Sequence, residues 1–238
     1  MTAVVDRRQR SAGRLVVRGI GELFLTAGLI LLLFVAYQLL WTNFEAQRAQ
    51  AAVTDQIRES WDRPGGRTLP AADEKAEPAE ADFGKGFGFM YIPRLGDDYS
   101  VPILEGVELE VLARGVGHYP GTAMPGELGN FAVAGHRATN GEPFAYLDRM
   151  RPGDEIIVET RRAWLTYVVD RSLIVKPTDV WVVDPVPGQP GAEPTQRMIT
   201  LTTCNPRWAS YERLIVFGEL EDRRPKSAGP PPGLRREG

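Results

Sequence analysis

The sequence predicts a mainly β domain carried behind one apolar helix. Three observations predict it: an uncharged apolar run near the N-terminus, a central block of short β-branched and aromatic segments broken by Gly and Pro, and polar or Gly/Pro-rich stretches on both sides of that block. Many short strands with few helices suggest a sandwich or a closed barrel.

Residues 1–22 carry Arg7, Arg8, Arg10, Arg14 and Arg18 against Asp6 and Glu22. The next segment, Leu23–Trp41, reads LFLTAGLILLLFVAYQLLW and is uncharged. At helical rise it is long enough to cross a hydrocarbon core. It exceeds a usual signal-peptide core, and Trp41-Thr42-Asn43-Phe44 offers no small-x-small cleavage site, so it reads as a retained anchor. The basic flank puts residues 1–22 in the cytoplasm and everything after Trp41 outside the cell. Phe44–Trp61 is rich in helix formers and continues a helix beyond the membrane. Asp62–Asp82 holds prolines, glycines and acids but almost no large apolar residue, which makes 42–85 a partly helical, partly flexible extracellular linker.

The block 86–222 has the size of one domain. Its strands are expected at Gly88–Pro93, Ser100–Glu105, Gly129–Ala134, Glu155–Thr160, Trp164–Lys176, Met198–Thr203 and Arg213–Leu220. Short helices are expected at Glu108–Arg114, Pro143–Met150 and Thr178–Val182. The proline-rich segment Asp184–Gln196 is long for a connection in a compact domain and reads as the wall or lid of a cleft. Residues 223–238, with Gly229-Pro230-Pro231-Pro232-Gly233, hold nothing that builds a core and read as a disordered tail.

Charge and residue counts narrow the chemistry. The chain has 28 basic and 31 acidic residues and a formal net charge of −3, with no basic stripe, which excludes nucleic acid as a partner. It has 1 cysteine, Cys204, and 2 histidines, His118 and His136. A single thiol makes no disulfide within the chain, and metal clusters recruit several thiolates or imidazoles. The acids show no metal-ligand spacing, so neither a metal nor a cofactor is expected. A free cysteine is often just a small buried hydrophobe, but an idle exposed thiol outside the membrane is a liability in an oxidising environment. Location therefore favours a chemical role for Cys204.

Cys204 closes the run Met198-Ile199-Thr200-Leu201-Thr202-Thr203, and Asn205-Pro206 ends the strand there. His136 holds the matching place after Gly129–Ala134. Thiolate is the attacking form of cysteine, and a histidine takes its proton and returns one to a leaving amine. Arg213 begins the strand that returns past Cys204, where a guanidinium donates to a carbonyl oxygen that becomes negative on attack. His118, in Gly117-His118-Tyr119-Pro120-Gly121, reads as a hydrogen-bonded structural histidine in a turn.

These residues carry a family resemblance. The stretch GVGHYPGTAMPGELGNFAVAGHR (Gly115–Arg137), followed by TLTTCNPRWASYERLIVFGEL (Thr200–Leu220), resembles the sortases, and the Thr-Leu-Thr-Thr-Cys form most resembles class E. The resemblance implies an eight-stranded β-barrel and a membrane-anchored cysteine transpeptidase. Such an enzyme cuts a C-terminal sorting signal between Thr and Gly, holds the threonine as a thioester, and releases it to the amine of a peptidoglycan precursor. Class E membership implies a preference for Leu-Ala-x-Thr-Gly over Leu-Pro-x-Thr-Gly. By position, Cys204 carries over as nucleophile, His136 as general acid and base, and Arg213 as holder of substrate and oxyanion. Calcium dependence occurs in some relatives, but no ligand loop for it is present here. Tyr119 is expected to border the substrate groove, with Thr202 and Thr203 positioning a substrate carbonyl.

Two other readings stand beside this one: a hydrolase in which water resolves the same thioester, and a tethered, non-catalytic β-domain that binds an envelope partner. L,D-transpeptidases place Ser-His-Gly-Cys around their nucleophile, and papain-like peptidases place cysteine before histidine at a helix start. Neither pattern occurs here.

Overall fold

A computed structural model describes residues 3–62 and 82–234. The chain divides into two units, Met1–Thr42 and Asn43–Gly238. Helix α1 runs Ala3–Asp62 without a break, joining the two helical expectations. Within it, Val16–Val35 is long and apolar enough to cross a membrane. This span begins earlier than the expected Leu23 and takes in Arg18 and Glu22, which pair with each other across one turn at 2.9 Å. Nearly all of the spacer expected at Asp62–Asp82 lies outside the described residues.

Eight strands close the barrel: β1 (Gly86–Tyr91), β2 (Val101–Glu105), β3 (Val116–His118), β4 (Gly129–Ala134), β5 (Glu155–Glu159), β6 (Ala163–Val175), β7 (Arg197–Asn205) and β8 (Glu212–Pro225). Their order around the wall is β1-β2-β3-β4-β7-β8-β6-β5, with β5 pairing back onto β1. The pairs β2/β3 and β4/β7 are parallel and the rest antiparallel. Closure leaves no edge strand to aggregate.

Alternation fills the interior. Phe131 and Val133 of β4, Ile199 and Leu201 of β7, Val216 of β8, and Leu165 and Tyr167 of β6 all enter one buried core. Each such side chain contributes about 1.5–3 kcal/mol on burial. Tyr167 keeps its hydroxyl satisfied by accepting from the Gly126 amide at 2.8 Å.

Strand β3 stands where the sequence suggested a turn. Its glycine serves close approach between chains: a Cβ on Gly117 would lie 2.1 Å from the Gly106 carbonyl oxygen. The expected helices shrink to α2 (Leu109–Leu112) and to 3-10 turns at Leu147–Arg149 and Val180–Val183. The tail expected to be disordered from Arg223 instead stays ordered through Leu234. Residues Arg223 to Pro225 extend β8 against Ala163–Leu165, and two 3-10 turns follow at Lys226–Ala228 and Pro232–Leu234. Pairing with β6 supplies partners that composition could not reveal.

The last turns of α1 pack on the outside of β1 and β2. Val53 and Ile57 join Phe89, Leu104 and Val111, with Trp61 alongside. This is one helical stripe at intervals of four. Gly86 makes room for it, since a Cβ there would come within 2.5 Å of Ile57. Glu159, 1% exposed, locks the seam. It accepts from Arg58 at 2.6 and 2.8 Å, from the Tyr91 hydroxyl at 2.5 Å, and from Lys226 of the C-terminal turn. Burial alone would raise the Glu159 carboxyl, but these donors outweigh it and hold the group below its ordinary 4.5. Burial and the neighbouring carboxylate push Tyr91 up to about 12.

Glu159→Gln should therefore cost about 3 kcal/mol by leaving Arg58 and Lys226 without their buried partner, as urea unfolding followed by tryptophan fluorescence will read. The folded carboxyl titrates below the unfolded one. Its contribution is thus complete above pH 4.5 and is lost as pH falls through the lower folded value. A wild-type stability profile flat from pH 6 to 2 would contradict this.

Candidate active site

Register alone assembles the site. Strands β4 and β7 run parallel with Ala134 opposite Thr202. Two residues further along each chain stand His136 and Cys204. On the other side of β7, antiparallel β8 sets Arg213 directly opposite Cys204. The three candidate residues thus form a row at the ends of three neighbouring strands, β4, β7 and β8. Ile199, Leu201 and Val216 point into the core. Alternation therefore turns Thr202, Cys204 and Arg213 to the outer face of the wall.

That outer face has a boundary. Val182 of the 3-10 turn before β7 packs on Ile215 and Phe217. Asn130 of β4 fixes the turn by donating to the carbonyls of Val182 and Asp184 at 3.1 and 3.0 Å, while its own carbonyl accepts from Thr200 at 2.7 Å. The start of the proline-rich segment is so pinned on the outer face beside Asn130 and Thr200, toward the start of β4 and β7.

Cys204 is a free, half-buried thiol. Burial holds the His136 imidazole below its ordinary 6.5, so near neutral pH it is uncharged and able to accept a proton. Asn140 lies 3.4 Å from its Nε2. The loop after His136 turns through three consecutive left-handed residues, Asn140 (φ 53), Gly141 (φ 78) and Glu142 (φ 46). Asparagine tolerates that region, whereas glutamate there is strained. Glu142 is held by an ion pair to Arg207, three residues past Cys204, which clasps the histidine loop to the cysteine loop. Arg213 uses Nη1 for the carbonyls of Ser210 and Glu212, both at 2.8 Å. Its Nε and Nη2 make no hydrogen bond among the described residues.

The other predicted residues separate. Tyr119 reaches Thr202, hydroxyl to hydroxyl at 3.0 Å, which sets its ring over the outer face near the row. Thr203 faces the other way. Buried at 3% exposure, it donates to the Gly135 carbonyl at 2.7 Å, so its hydroxyl ties β7 to the end of β4 instead of meeting a substrate. His118 is buried, with Nδ1 2.6 Å from Glu105, Nε2 2.9 Å from Thr122, and its ring stacked on Phe131. Trp208 and Tyr211, between Cys204 and Arg213, are exposed. Sequence reasoning missed Arg137, Asn140, Glu142, Asn205 and Arg207. The available signal was adjacency, since Arg137 follows His136 and Asn205 follows Cys204. Among the described residues no three His, Cys, Asp or Glu side chains gather as a metal site.

A half-buried thiol beside a neutral imidazole and a guanidinium is an arrangement for acyl transfer through a covalent intermediate. Comparison with known proteins agrees. A family model described as the sortase domain matches residues 90–221. Sortase SrtE1 of Streptomyces coelicolor is 43% identical over 247 residues, covering 98% of this chain and 67% of that protein. Sortase SrtE2 of the same organism is 34% identical, covering 90% of this chain and 87% of its own. Among solved structures, sortase E from Streptomyces avermitilis superimposes with a TM-score of 0.60 at 48% identity, over 65% of this chain and 100% of that one. Sortase E1 from S. coelicolor, with a tripeptide in its active site, superimposes with a TM-score of 0.59 at 43% identity, over 65% and 100%.

Proposed function

This chain belongs to the sortase family of cysteine transpeptidases, in class E, and we propose that it does this chemistry with Cys204 as nucleophile, His136 as general acid and base, and Arg213 as holder of the oxyanion. The observation that carries the assignment is the row His136–Cys204–Arg213 set by the β4/β7 and β7/β8 registers.

His136 takes the thiol proton, and the thiolate attacks the threonine carbonyl carbon of a sorting signal. The developing oxyanion accepts from Nε and Nη2 of Arg213. Collapse breaks the Thr–Gly bond, and His136 hands its proton to the departing glycine amine. An incoming amine then loses a proton to His136 and attacks the thioester, and the released thiolate regains that proton. The signal is of the Leu-Ala-x-Thr-Gly type. Tyr119, held by Thr202, borders the groove. The acceptor is the amine of a peptidoglycan precursor. The span Val16–Val35 holds the protein in the cell membrane with its basic N-terminus inside and its barrel outside.

Incubating the full chain in detergent with Leu-Ala-x-Thr-Gly and Leu-Pro-x-Thr-Gly peptides, with and without an amine, tests this. Mass spectrometry should find a thioester on Cys204 and an amide product with the amine, and more product from the alanine peptide. Free acid alone, even with excess amine, would make the protein a hydrolase. Arg213→Lys should lower kcat about 100-fold, since a point ammonium replaces a planar fork. Full turnover in that variant would remove Arg213 from the oxyanion role.

A further inference from the structure

We propose that Arg137 is the positioning residue that keeps the nucleophile strand and the imidazole loop in register, an inference that rests on Cys204, His136 and Arg213 being the catalytic trio. Arg137 is 6% exposed, although a guanidinium is costly to bury. Its Nη1 donates to the Cys204 carbonyl at 3.2 Å and to Asn205 Oδ1 at 2.6 Å. Its Nη2 meets Asp148 Oδ1 at 3.1 Å. Asn205 then passes the connection on, donating from Nδ2 to Glu212 at 2.8 Å.

Arg137, Asn205 and Glu212 each touch or adjoin one of the trio. Arg137 directly follows His136, the carbonyl it grips is that of Cys204 itself, and Glu212 directly precedes Arg213. One polar string therefore crosses the same three strands as the catalytic row. Fixing the Cys204 carbonyl fixes the direction in which its Cα–Cβ bond presents the thiol.

Stability alone accounts poorly for the arrangement. The anionic partner, Asp148, is 57% exposed, and exposed carboxylates repay little of the cost of desolvating a cation. Arg137 Nε is moreover buried with no hydrogen-bond partner among the described residues, so a hydrogen bond is forgone in this pose. A planar fork reaches Cys204 and Asn205 on one side and Asp148 on the other at once, which an ammonium does not.

The test compares wild type, Arg137→Lys and Arg137→Gln as full chains in detergent, reading kcat, KM, the single-turnover rate of thioester formation and thermal midpoint. Both variants should lose about 30-fold in kcat and in the thioester rate through misplacement of the reacting groups. KM should stay within about twofold and the thermal midpoint should be little changed. Lysine should not rescue. If Arg137→Lys keeps wild-type kcat, the positioning role is wrong.

If the Arg137 variants fail to fold, Asp148→Asn decides in their place. It alters an exposed carboxylate and should slow thioester formation about threefold with KM held, through the same loosened fork. An unchanged rate would overturn the proposal. Absence of a thioester in the wild-type chain would overturn the catalytic reading itself. A wild-type thioester with an unimpaired Arg137→Lys would remove Arg137 alone.

Discussion

Cys204→Ala is expected to abolish both thioester formation and amide product, a loss of about 10⁴-fold or more in turnover. No other thiol exists in the chain to substitute for it. Nor does the variant endanger the fold, because Cys204 is half-buried on the outer face and the core side of β7 is filled by Ile199 and Leu201. Intact-mass measurement after mixing with a sorting peptide reads the acyl-enzyme directly, and chromatography reads the product. Product formed by the alanine variant at a tenth of the wild-type rate would end the covalent mechanism. A methanethiosulfonate reagent adds a check on the native protein, since a reactive Cys204 must be modified without unfolding.

His136→Ala should cost about 10³- to 10⁴-fold in kcat/KM, the size of a lost general acid–base. His118→Gln should keep the chemistry and instead cost about 1–3 kcal/mol of stability, because it breaks the buried bond to Glu105. The reverse pattern would exchange their roles. A titration separates them further. Burial disfavours the charged His136 ring, so in a Cys204→Ala background its ring proton resonance should titrate below pH 6.5. The sign for stability follows. The folded state binds that proton less readily than the unfolded chain, so below pH 6.5 protonation favours unfolding, until the pH has also fallen below the folded value. A midpoint above 6.5 would mean that a neighbouring anion, not desolvation, governs the ring.

Much of this was legible in the sequence. The Gly129–Ala134 strand lies where β4 does, because alternation and flanking glycines fix both ends. Cys204 and His136 were recognisable as strand-end residues from Asn205-Pro206 and from the polar turn after Gly135. Adjacency of the strands was not legible. That β4 and β7 pair in parallel across the long β4–β7 interval is a fact of topology, and it turns two separate strand ends into neighbours. β3 was hidden because Gly115 and Gly117 read as turn signals until the close approach of Gly106 and Pro102 explains them. The order of Arg223 to Leu234 was hidden because low apolar content says nothing of the pairing that β6 offers. Thr202 and Thr203 look alike as letters, yet the pleat sends one hydroxyl to Tyr119 and the other to Gly135.

The pleat of β7 also sets how this enzyme tolerates change over generations. A single residue gained or lost between Arg197 and Thr203 would exchange the two faces of everything that follows it. The thiol would then enter the barrel, and Thr203 after a gain, or Asn205 after a loss, would take its place beside Arg213. The segment Asp184–Gln196 carries no such parity and can lengthen or shorten freely at the cost of a little loop entropy. Changes of length are therefore expected to accumulate before β7, while β7 itself drifts only by substitution.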